Sequence, residues 1–142
     1  MHFFAYGSLI FAEVMKAVTG RRHESVAATL FGYSRFRVSE ASYPGLIEST
    51  NSSVAGVLYD QVDASSLRLL DRFEGEYYLR RSVTVETDHG GDQPAETYVI
   101  RPEFEHLLTR ETWDSGLFRQ KHLKSFIQSY QGFGWIESKG SL

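Results

Sequence analysis

The stretch Phe3-Phe4-Ala5-Tyr6-Gly7-Ser8-Leu9-Ile10 determines how the fold begins. Its apolar residues from Phe3 to Tyr6 predict a short buried strand, and Gly7-Ser8 predicts a turn. The residues from Leu9 to Val18 predict a helix, which the following Gly20 ends. The chain is therefore expected to start with a strand, a tight turn and a helix.

The turn Tyr6-Gly7-Ser8-Leu9 has two interpretations. Gly7 has no side chain to keep a ligand away from the backbone, and the first amides of a helix have no internal acceptor and favour an anion. The turn could thus hold a carboxylate or an oxyanion. Alternatively, it is a plain connection between strand and helix with Ser8 as the N-cap.

Further strands are predicted along the chain. The segments from Ser25 to Ser39 and from Val54 to Val62 are rich in β-branched and aromatic residues. Between them, the Pro-Gly pair of Tyr43-Pro44-Gly45 suits the centre of a type II turn. The segments from Arg81 to Thr87 and from Thr97 to Ile100 predict a β-hairpin. The sequence therefore predicts five or more strands with few helices.

The segment from Ser65 to Glu74 predicts a short helix. Asp63 is its expected N-cap, and Gly75 lies just past its end, where helices favour glycine. A third helix is predicted from about Phe118 to Tyr130, where apolar residues recur on one side. The aromatic residues around this last helix are expected in the core or in a lid; they are Trp113, Phe118, Phe133 and Trp135.

Glu74 stands on the apolar face of its predicted helix. Leu67, Leu70 and Glu74 are spaced i, i+3 and i+7, so a carboxylate takes the place of a core residue. A partly desolvated acid at a helix C-terminus holds its proton more tightly. Glu74 is therefore a candidate functional acid. The alternative is a solvent-facing carboxylate paired with Arg80 or Arg81.

The composition is that of one globular domain. The chain has 142 residues, 42% of them hydrophobic, which suffices for one well-packed core. The net charge of −3 argues against nucleic acid as a partner. The absence of cysteine removes thiolate chemistry, and the five histidines have no metal-ligand spacing. No apolar run is long enough for a transmembrane helix, and no signal peptide is recognised, so residence in the cytoplasm is expected.

Several short motifs occur in a characteristic order and resemble the gamma-glutamylcyclotransferase-like family, also called the AIG2-like family. The resemblance runs from residue 3 to about residue 101. The strings that carry it are Phe4-Ala5-Tyr6-Gly7-Ser8-Leu9, Tyr43-Pro44-Gly45, Ala55-Gly56-Val57-Leu58-Tyr59 and Leu70-Asp71-Arg72-Phe73-Glu74-Gly75. The chain is then one domain, residues 1–142, with a core over about 1–105 and a helical C-terminal extension over 106–142.

The resemblance implies a mixed α/β fold: a small β-barrel of about five to seven strands with flanking helices. It implies that Glu74 is the catalytic acid/base, and that the α-amine of a γ-glutamyl substrate attacks its own γ-carbonyl to give 5-oxoproline. Amides of the turn Tyr6, Gly7, Ser8 and Leu9 would bind the substrate, and Tyr78 would shape the glutamyl pocket. Neither a cofactor nor a metal is implied.

Some features stay open at this stage. The family has Tyr, one residue and Arg after the glutamate, and Tyr77-Tyr78-Leu79-Arg80-Arg81 fits this pattern in two registers. The leaving group of the γ-glutamyl substrate and the oligomeric state are not indicated. A non-catalytic module of the same fold, binding a small metabolite or a protein, is the alternative function.

Overall fold

A computed structural model describes residues 1–41 and 43–128. The strands are β1 (Phe3–Ala5), β2 (Ser25–Val38), β3 (Pro44–Tyr59), β4 (Tyr78–Thr87), β5 (Asp92–Ile100) and β6 (Leu108–Thr112). The α-helices are α1 (Ala12–Thr19), α2 (Ala64–Glu74) and α3 (Ser115–Lys121), and two 3-10 helices span Ser8–Ile10 and Pro102–Leu107.

Five strands form a closed barrel. Their order is β3-β1-β5-β4-β2, and β2 pairs back onto β3 to close the ring. The pairs are antiparallel except for β1 with β5, where Phe3 lies opposite Glu96 in a parallel arrangement. With the flanking helices, this confirms the predicted mixed α/β fold built on a small barrel.

Helix α2 has the predicted ends. The Asp63 carboxylate accepts a hydrogen bond of 2.8 Å from the Ser66 amide, and Gly75 follows the last turn with φ of 80°. Leu67 and Leu70 are buried on the helix face that also carries Glu74. The apolar spacing of α2 therefore describes its orientation correctly. Across the described residues, no helix is both long and apolar enough to cross a membrane.

The first predicted helix, Leu9 to Val18, is divided in two. A 3-10 turn over Ser8–Ile10 is followed by α1, and Phe11 between them has extended backbone angles. Phe11 is buried and stacks on the Phe118 ring with centroids 5.7 Å apart. This tertiary contact explains the break between the two helices. The local sequence pattern, which is helical throughout, does not predict it.

The predicted type II turn at Pro44-Gly45 is wrong. Both residues belong to β3, where Gly45 pairs with Phe36 of β2. The chain reverses earlier, at Glu40, whose φ is 58°. Proline is acceptable as the first residue of a strand, so Pro44 begins β3 and does not centre a turn.

The segment after residue 106 contains a strand that a purely helical interpretation misses. Strand β6 pairs with the end of β2 outside the barrel, with Val38 opposite Leu108. Helix α3 then begins at Ser115, where the Asp114 side chain caps it, and residues 123–128 are also helical. The last two residues of the predicted helix, as well as Phe133 and Trp135, lie outside the described residues.

Strand β1 lies so close to Gly56 of β3 that no side chain fits at this position. A Cβ on Gly56 would overlap the Ala5 carbonyl oxygen and lie 2.8 Å from the Phe4 ring. Both contacts involve residues of β1, which is buried throughout. The close approach of β1 to β3 within the barrel therefore requires glycine at this position.

Gly56→Ala is expected to lower the free energy of unfolding by at least 1–3 kcal/mol, roughly the usual cost of overpacking a core. Urea unfolding measures this loss. Gly91→Ala is the matched control, because a Cβ there meets nothing within 4 Å, and it should stay within about 0.5 kcal/mol of the wild type. Equal stability of the two variants would contradict the steric account of Gly56.

Candidate active site

A cleft of about 310 Å³, mouth included, opens beside the end of β1. Every site residue predicted from the sequence lines it, and so do several others. The lining residues are Phe3, Phe4, Ala5, Tyr6, Gly7, Ser8, Leu9, Tyr43, Pro44, Glu74 and Tyr78.

Glu74 supplies the carboxyl group of the cleft. The residue as a whole is half-buried, yet its carboxyl is desolvated, and this burial raises its pKa from 4.5 to about 8. Within residues 1–41 and 43–128, no side chain or amide is found hydrogen-bonded or ion-paired with this carboxyl. Glu74 is therefore an acid that exchanges its proton near neutral pH.

The alternative in which Glu74 pairs with a nearby arginine is wrong. The Arg80 Nε atom lies 3.4 Å from Asp71 Oδ1, and the Arg81 Nη1 atom lies 3.0 Å from Glu48 Oε1. Both guanidinium groups therefore have other carboxylate partners. No cation among residues 1–41 and 43–128 is found to lower the pKa of Glu74, so desolvation determines it.

Four tyrosines surround the Glu74 carboxyl closely enough to sense its charge. Burial is the largest cause that raises the pKa of Tyr6, Tyr43, Tyr78 and Tyr98, and the negative charge of Glu74 raises each further. Their hydroxyls therefore stay protonated at neutral pH. The carboxyl lies among neutral hydroxyl groups and apolar rings, which explains its preference for the neutral form.

The pattern after Glu74 offered two candidate tyrosines, Tyr77 and Tyr78, and of these only Tyr78 lines the cleft. Tyr78 is buried there, and its hydroxyl donates a hydrogen bond of 2.7 Å to the Pro44 carbonyl. Tyr77 instead packs edge-on against Phe104, with ring centroids 4.7 Å apart. Of these two tyrosines, Tyr78 is therefore the one whose side chain lines the cleft.

The turn from Tyr6 to Leu9 leaves three amides unused. Gly7, Ser8 and Leu9 donate no backbone hydrogen bond to the described part of the chain, whereas the Gly7 carbonyl accepts one of 3.0 Å from Ile10. Ser8 does not cap the 3-10 helix, because it is the first helical residue and no side chain caps the turn. The N-cap interpretation of Ser8 is therefore wrong, and the amides are available to an anion.

Three side chains hold this turn in place. The Tyr6 hydroxyl donates to the Tyr98 carbonyl at 2.8 Å, and the Tyr59 hydroxyl donates to the Leu9 carbonyl at 2.7 Å. Arg35 donates to the Tyr6 carbonyl at 2.7 Å. The backbone of the turn is thus fixed before any ligand binds, as preorganised binding requires.

Sequence reasoning missed Tyr43 and Pro44 as site residues. A Cβ on Gly7 would lie 2.9 Å from Pro44 Cδ, so the proline packs directly onto the turn. The strings containing Gly7 and Pro44 were both recognised, but the contact between them joins distant parts of the chain. Only the pairing of β2 with β3 brings Pro44 to the cleft.

The cleft is suited to proton transfer on a small anionic or polar ligand. Its carboxyl has a pKa near neutrality, and unused amides lie on the turn beside it. In the described part of the chain, no group of three or more histidine, aspartate or glutamate side chains is arranged to hold a metal ion. The chemical groups present are those of general acid–base catalysis.

Comparison with known proteins places these features in a family. A family model described as "Gamma-glutamyl cyclotransferase, AIG2-like" matches residues 3–116. AIG2-like protein C of Arabidopsis thaliana is 32% identical over 131 residues, which cover 92% of this chain and 76% of that protein.

Solved structures share the fold. A solution structure of an Arabidopsis thaliana protein superposes with a TM-score of 0.69 and 26% identity, covering 96% of this chain and 91% of that one. A structure described as gamma-glutamyl cyclotransferase superposes with a TM-score of 0.63 and 19% identity, covering 72% of each chain. At that identity, the second likeness concerns the fold alone.

The raised pKa of Glu74 predicts a pH-dependent stability that Glu74→Gln removes. An unfolded glutamate loses its proton near pH 4.5, whereas the folded protein keeps it up to about pH 8, so the folded state binds more protons between these values. The contribution of this group to the free energy of unfolding therefore falls as pH rises through this window, by up to ~1.4 kcal/mol per pH unit.

Urea unfolding of the wild type and Glu74→Gln between pH 5 and 8.5 measures this effect. Both proteins contain the same histidines, so the contribution of histidine titration cancels in the difference between their free energies of unfolding. Glu76→Gln, which changes an exposed neighbour, is the control and should follow the wild type. Parallel stability curves for the wild type and Glu74→Gln would contradict the assigned pKa.

Proposed function

We propose that this chain, which belongs to the gamma-glutamyl cyclotransferase, AIG2-like family, is an enzyme that converts a γ-glutamyl amide into 5-oxoproline and a free amine or amino acid. The reaction is intramolecular: the substrate supplies both the nucleophile and the carbonyl group. No nucleophilic side chain of the protein is needed, which agrees with a chain that lacks cysteine.

In the first step, the α-amine of the substrate attacks its own γ-carbonyl. This amine is largely protonated at neutral pH and must lose a proton to become a nucleophile. The ionised form of Glu74 accepts this proton as a general base. A C–N bond forms, and the γ-carbonyl oxygen acquires negative charge in a tetrahedral intermediate.

In the second step, the bond between the γ-carbon and the leaving nitrogen breaks. The leaving amine needs a proton, and the carboxyl of Glu74, now protonated, donates the one it accepted. The carbonyl re-forms within the five-membered ring of 5-oxoproline. The ring nitrogen still carries two hydrogens after the attack, and it passes the second proton through the Glu74 carboxylate to the released amine, which leaves as an ammonium. Glu74 ends each cycle ionised, so one carboxyl with a pKa near neutrality serves both steps.

The remaining cleft residues bind and orient the substrate. The amides of Gly7, Ser8 and Leu9 hold the substrate carboxylate or the developing oxyanion, and Tyr6 and Tyr78 form the wall of the glutamyl pocket. Preorganised amides of this kind act without reorganisation during the reaction.

One observation carries the proposal: a carboxyl without a found partner, whose pKa is raised to about 8, beside a turn with unused amides. A buried acid without a counter-ion destabilises a fold, and such groups concentrate where their chemistry is used. Membership of the family supplies the reaction that fits this arrangement.

Release of 5-oxoproline from a panel of γ-glutamyl amino acids and γ-glutamyl amines tests the function. We expect turnover of at least one member of the panel by the wild type. Glu74→Gln retains the shape of the side chain but cannot transfer the proton, so its turnover should fall more than ~100-fold.

Glu76→Gln is the matched control and should keep wild-type turnover, because its side chain is exposed beyond the helix end. Circular dichroism checks that each variant is folded. Near-normal turnover by Glu74→Gln would exclude Glu74 as the acid/base. Thermal stabilisation by a panel member without any 5-oxoproline would favour a binding module.

Tyr78→Phe tests the pocket wall. The change removes the hydroxyl that donates to the Pro44 carbonyl, so we expect about tenfold lower kcat/KM and a loss of ~1 kcal/mol in the free energy of unfolding. Tyr77→Phe, whose ring packs on Phe104, should change kcat/KM less than twofold. A larger loss in Tyr77→Phe than in Tyr78→Phe would show that the other register is the functional one.

A further inference from the structure

Arg35 of β2 contacts the cleft turn from behind. Its Nη1 atom donates to the Tyr6 carbonyl at 2.7 Å, and the same atom lies 3.3 Å from the Ala55 carbonyl. Arg35 itself does not line the cleft, whereas Tyr6 and the next residue, Gly7, do. The guanidinium therefore lies on the side of the turn that faces away from the ligand space.

The Tyr6–Gly7 peptide group transmits this contact to the cleft. A trans peptide is planar, so its C=O and N–H bonds point in opposite directions, and no cis peptide occurs among the described residues. Because the Tyr6 C=O points at Arg35, the Gly7 N–H points away from Arg35. That N–H donates to no backbone acceptor of the described chain, and Gly7 lies at the cleft wall.

The Arg35 guanidinium is itself contacted by the short segment between β6 and α3. The Trp113 ring lies 5.4 Å from the Arg35 Cζ atom, and Trp113 is buried. Burial lowers the pKa of Arg35, and the negative charge of Asp114 partly opposes this shift. An arginine stays charged in proteins even when its pKa is lowered, so the donor to Tyr6 is a cation.

A charged donor has two effects on the peptide group. It forms a stronger hydrogen bond than a neutral donor would, which restricts rotation of the peptide plane. It also withdraws electron density from the carbonyl, which makes the N–H of the same peptide a better donor. Both effects act on the one Gly7 N–H group.

We infer that Arg35 is a positioning residue: it fixes the Tyr6–Gly7 peptide group so that the Gly7 N–H faces the cleft as a hydrogen-bond donor. Its use in catalysis rests on the proposed function, whereas the orientation of the peptide does not. Trp113 and Asp114 support Arg35, so the segment that contains them contributes to the site without touching the substrate.

Three variants test the inference. Arg35→Met keeps an unbranched stem against Trp113 but removes the charged donor. Arg35→Lys keeps a cation, and Arg37→Met is the matched control on the same strand, because Arg37 bonds to Glu111 of β6 and not to the turn. If Arg35→Met fails to fold, Arg35→Lys still tests the inference. A single flexible ammonium restrains the peptide less than a guanidinium does, so Arg35→Lys should differ from both the wild type and Arg37→Met.

The first measurement needs no substrate. In isotope-labelled protein, the ¹³C resonance of the Tyr6 carbonyl should move upfield in Arg35→Met, and the ¹⁵N resonance of the Gly7 amide should shift with it. Arg37→Met should leave both at their wild-type positions. Unchanged resonances in the Arg35 variants would overturn the inference whether or not the protein is an enzyme.

The second measurement is the steady-state kinetics of 5-oxoproline release. Arg35→Met should lose at least about tenfold in kcat/KM, with Arg35→Lys between it and the wild type, and Arg37→Met within twofold of the wild type. A loss in kcat assigns the Gly7 N–H to the transition state, and a rise in KM assigns it to the substrate carboxylate. Equal losses in Arg35→Met and Arg37→Met would overturn the inference and leave the proposed function standing.

A wild type that releases no 5-oxoproline would instead contradict the proposed function. The resonances of Tyr6 and Gly7 would then decide the orientation of the peptide alone. The two failures are therefore distinguishable.

Discussion

The cleft depends on a contact between Gly7 and Pro44 that leaves no space for a side chain on Gly7. Pro44 begins β3, and its carbonyl accepts the Tyr78 hydroxyl from the start of β4. The first turn of the chain and the ends of two barrel strands therefore meet at one proline. A residue larger than glycine at position 7 would push the turn and Pro44 apart.

Glu74 is in the cleft because its helix is fixed by apolar packing. Leu67 and Leu70 are almost fully buried, and their packing sets the rotation of α2. Burial of two leucines contributes about 3–6 kcal/mol, an upper estimate that is enough to offset the desolvation of a neutral carboxylic acid. The fold can therefore keep an uncompensated acid at this position, at some cost to its stability at high pH.

Local sequence patterns predicted the parts of the structure that local forces determine. The spacing of leucines gave the buried face of α2, and Asp63 and Gly75 gave its ends. Strand β6 and the break at Phe11 could not be predicted in this way, because pairing with β2 and stacking on another ring decide them.

The residues of the candidate site also differ in whether the local sequence predicts them. Glu74 and the turn from Tyr6 to Leu9 carry a signal within a few residues, since an acid on an apolar face and a glycine after a strand are both unusual locally. Neither Tyr43 nor Arg35 has such a local signal for the site. A tyrosine before a proline and an arginine in a strand have many ordinary explanations, and only the closed barrel brings them to the turn.

Closure of the barrel also has a kinetic consequence. Its parallel pair joins Phe3 to Glu96, and the Tyr6 hydroxyl reaches the Tyr98 carbonyl, so contacts of the cleft span most of the described chain. Closing a loop of this length costs entropy before any contact is gained, and chains dominated by such distant contacts fold slowly. Pairing of β5 with β1 also completes the support of the cleft, because the acceptor of the Tyr6 hydroxyl, the Tyr98 carbonyl, lies on β5. A chain in which β5 has not yet paired with β1 contains Glu74 and the turn, but its Tyr6 hydroxyl lacks the Tyr98 acceptor that helps to hold the turn in place.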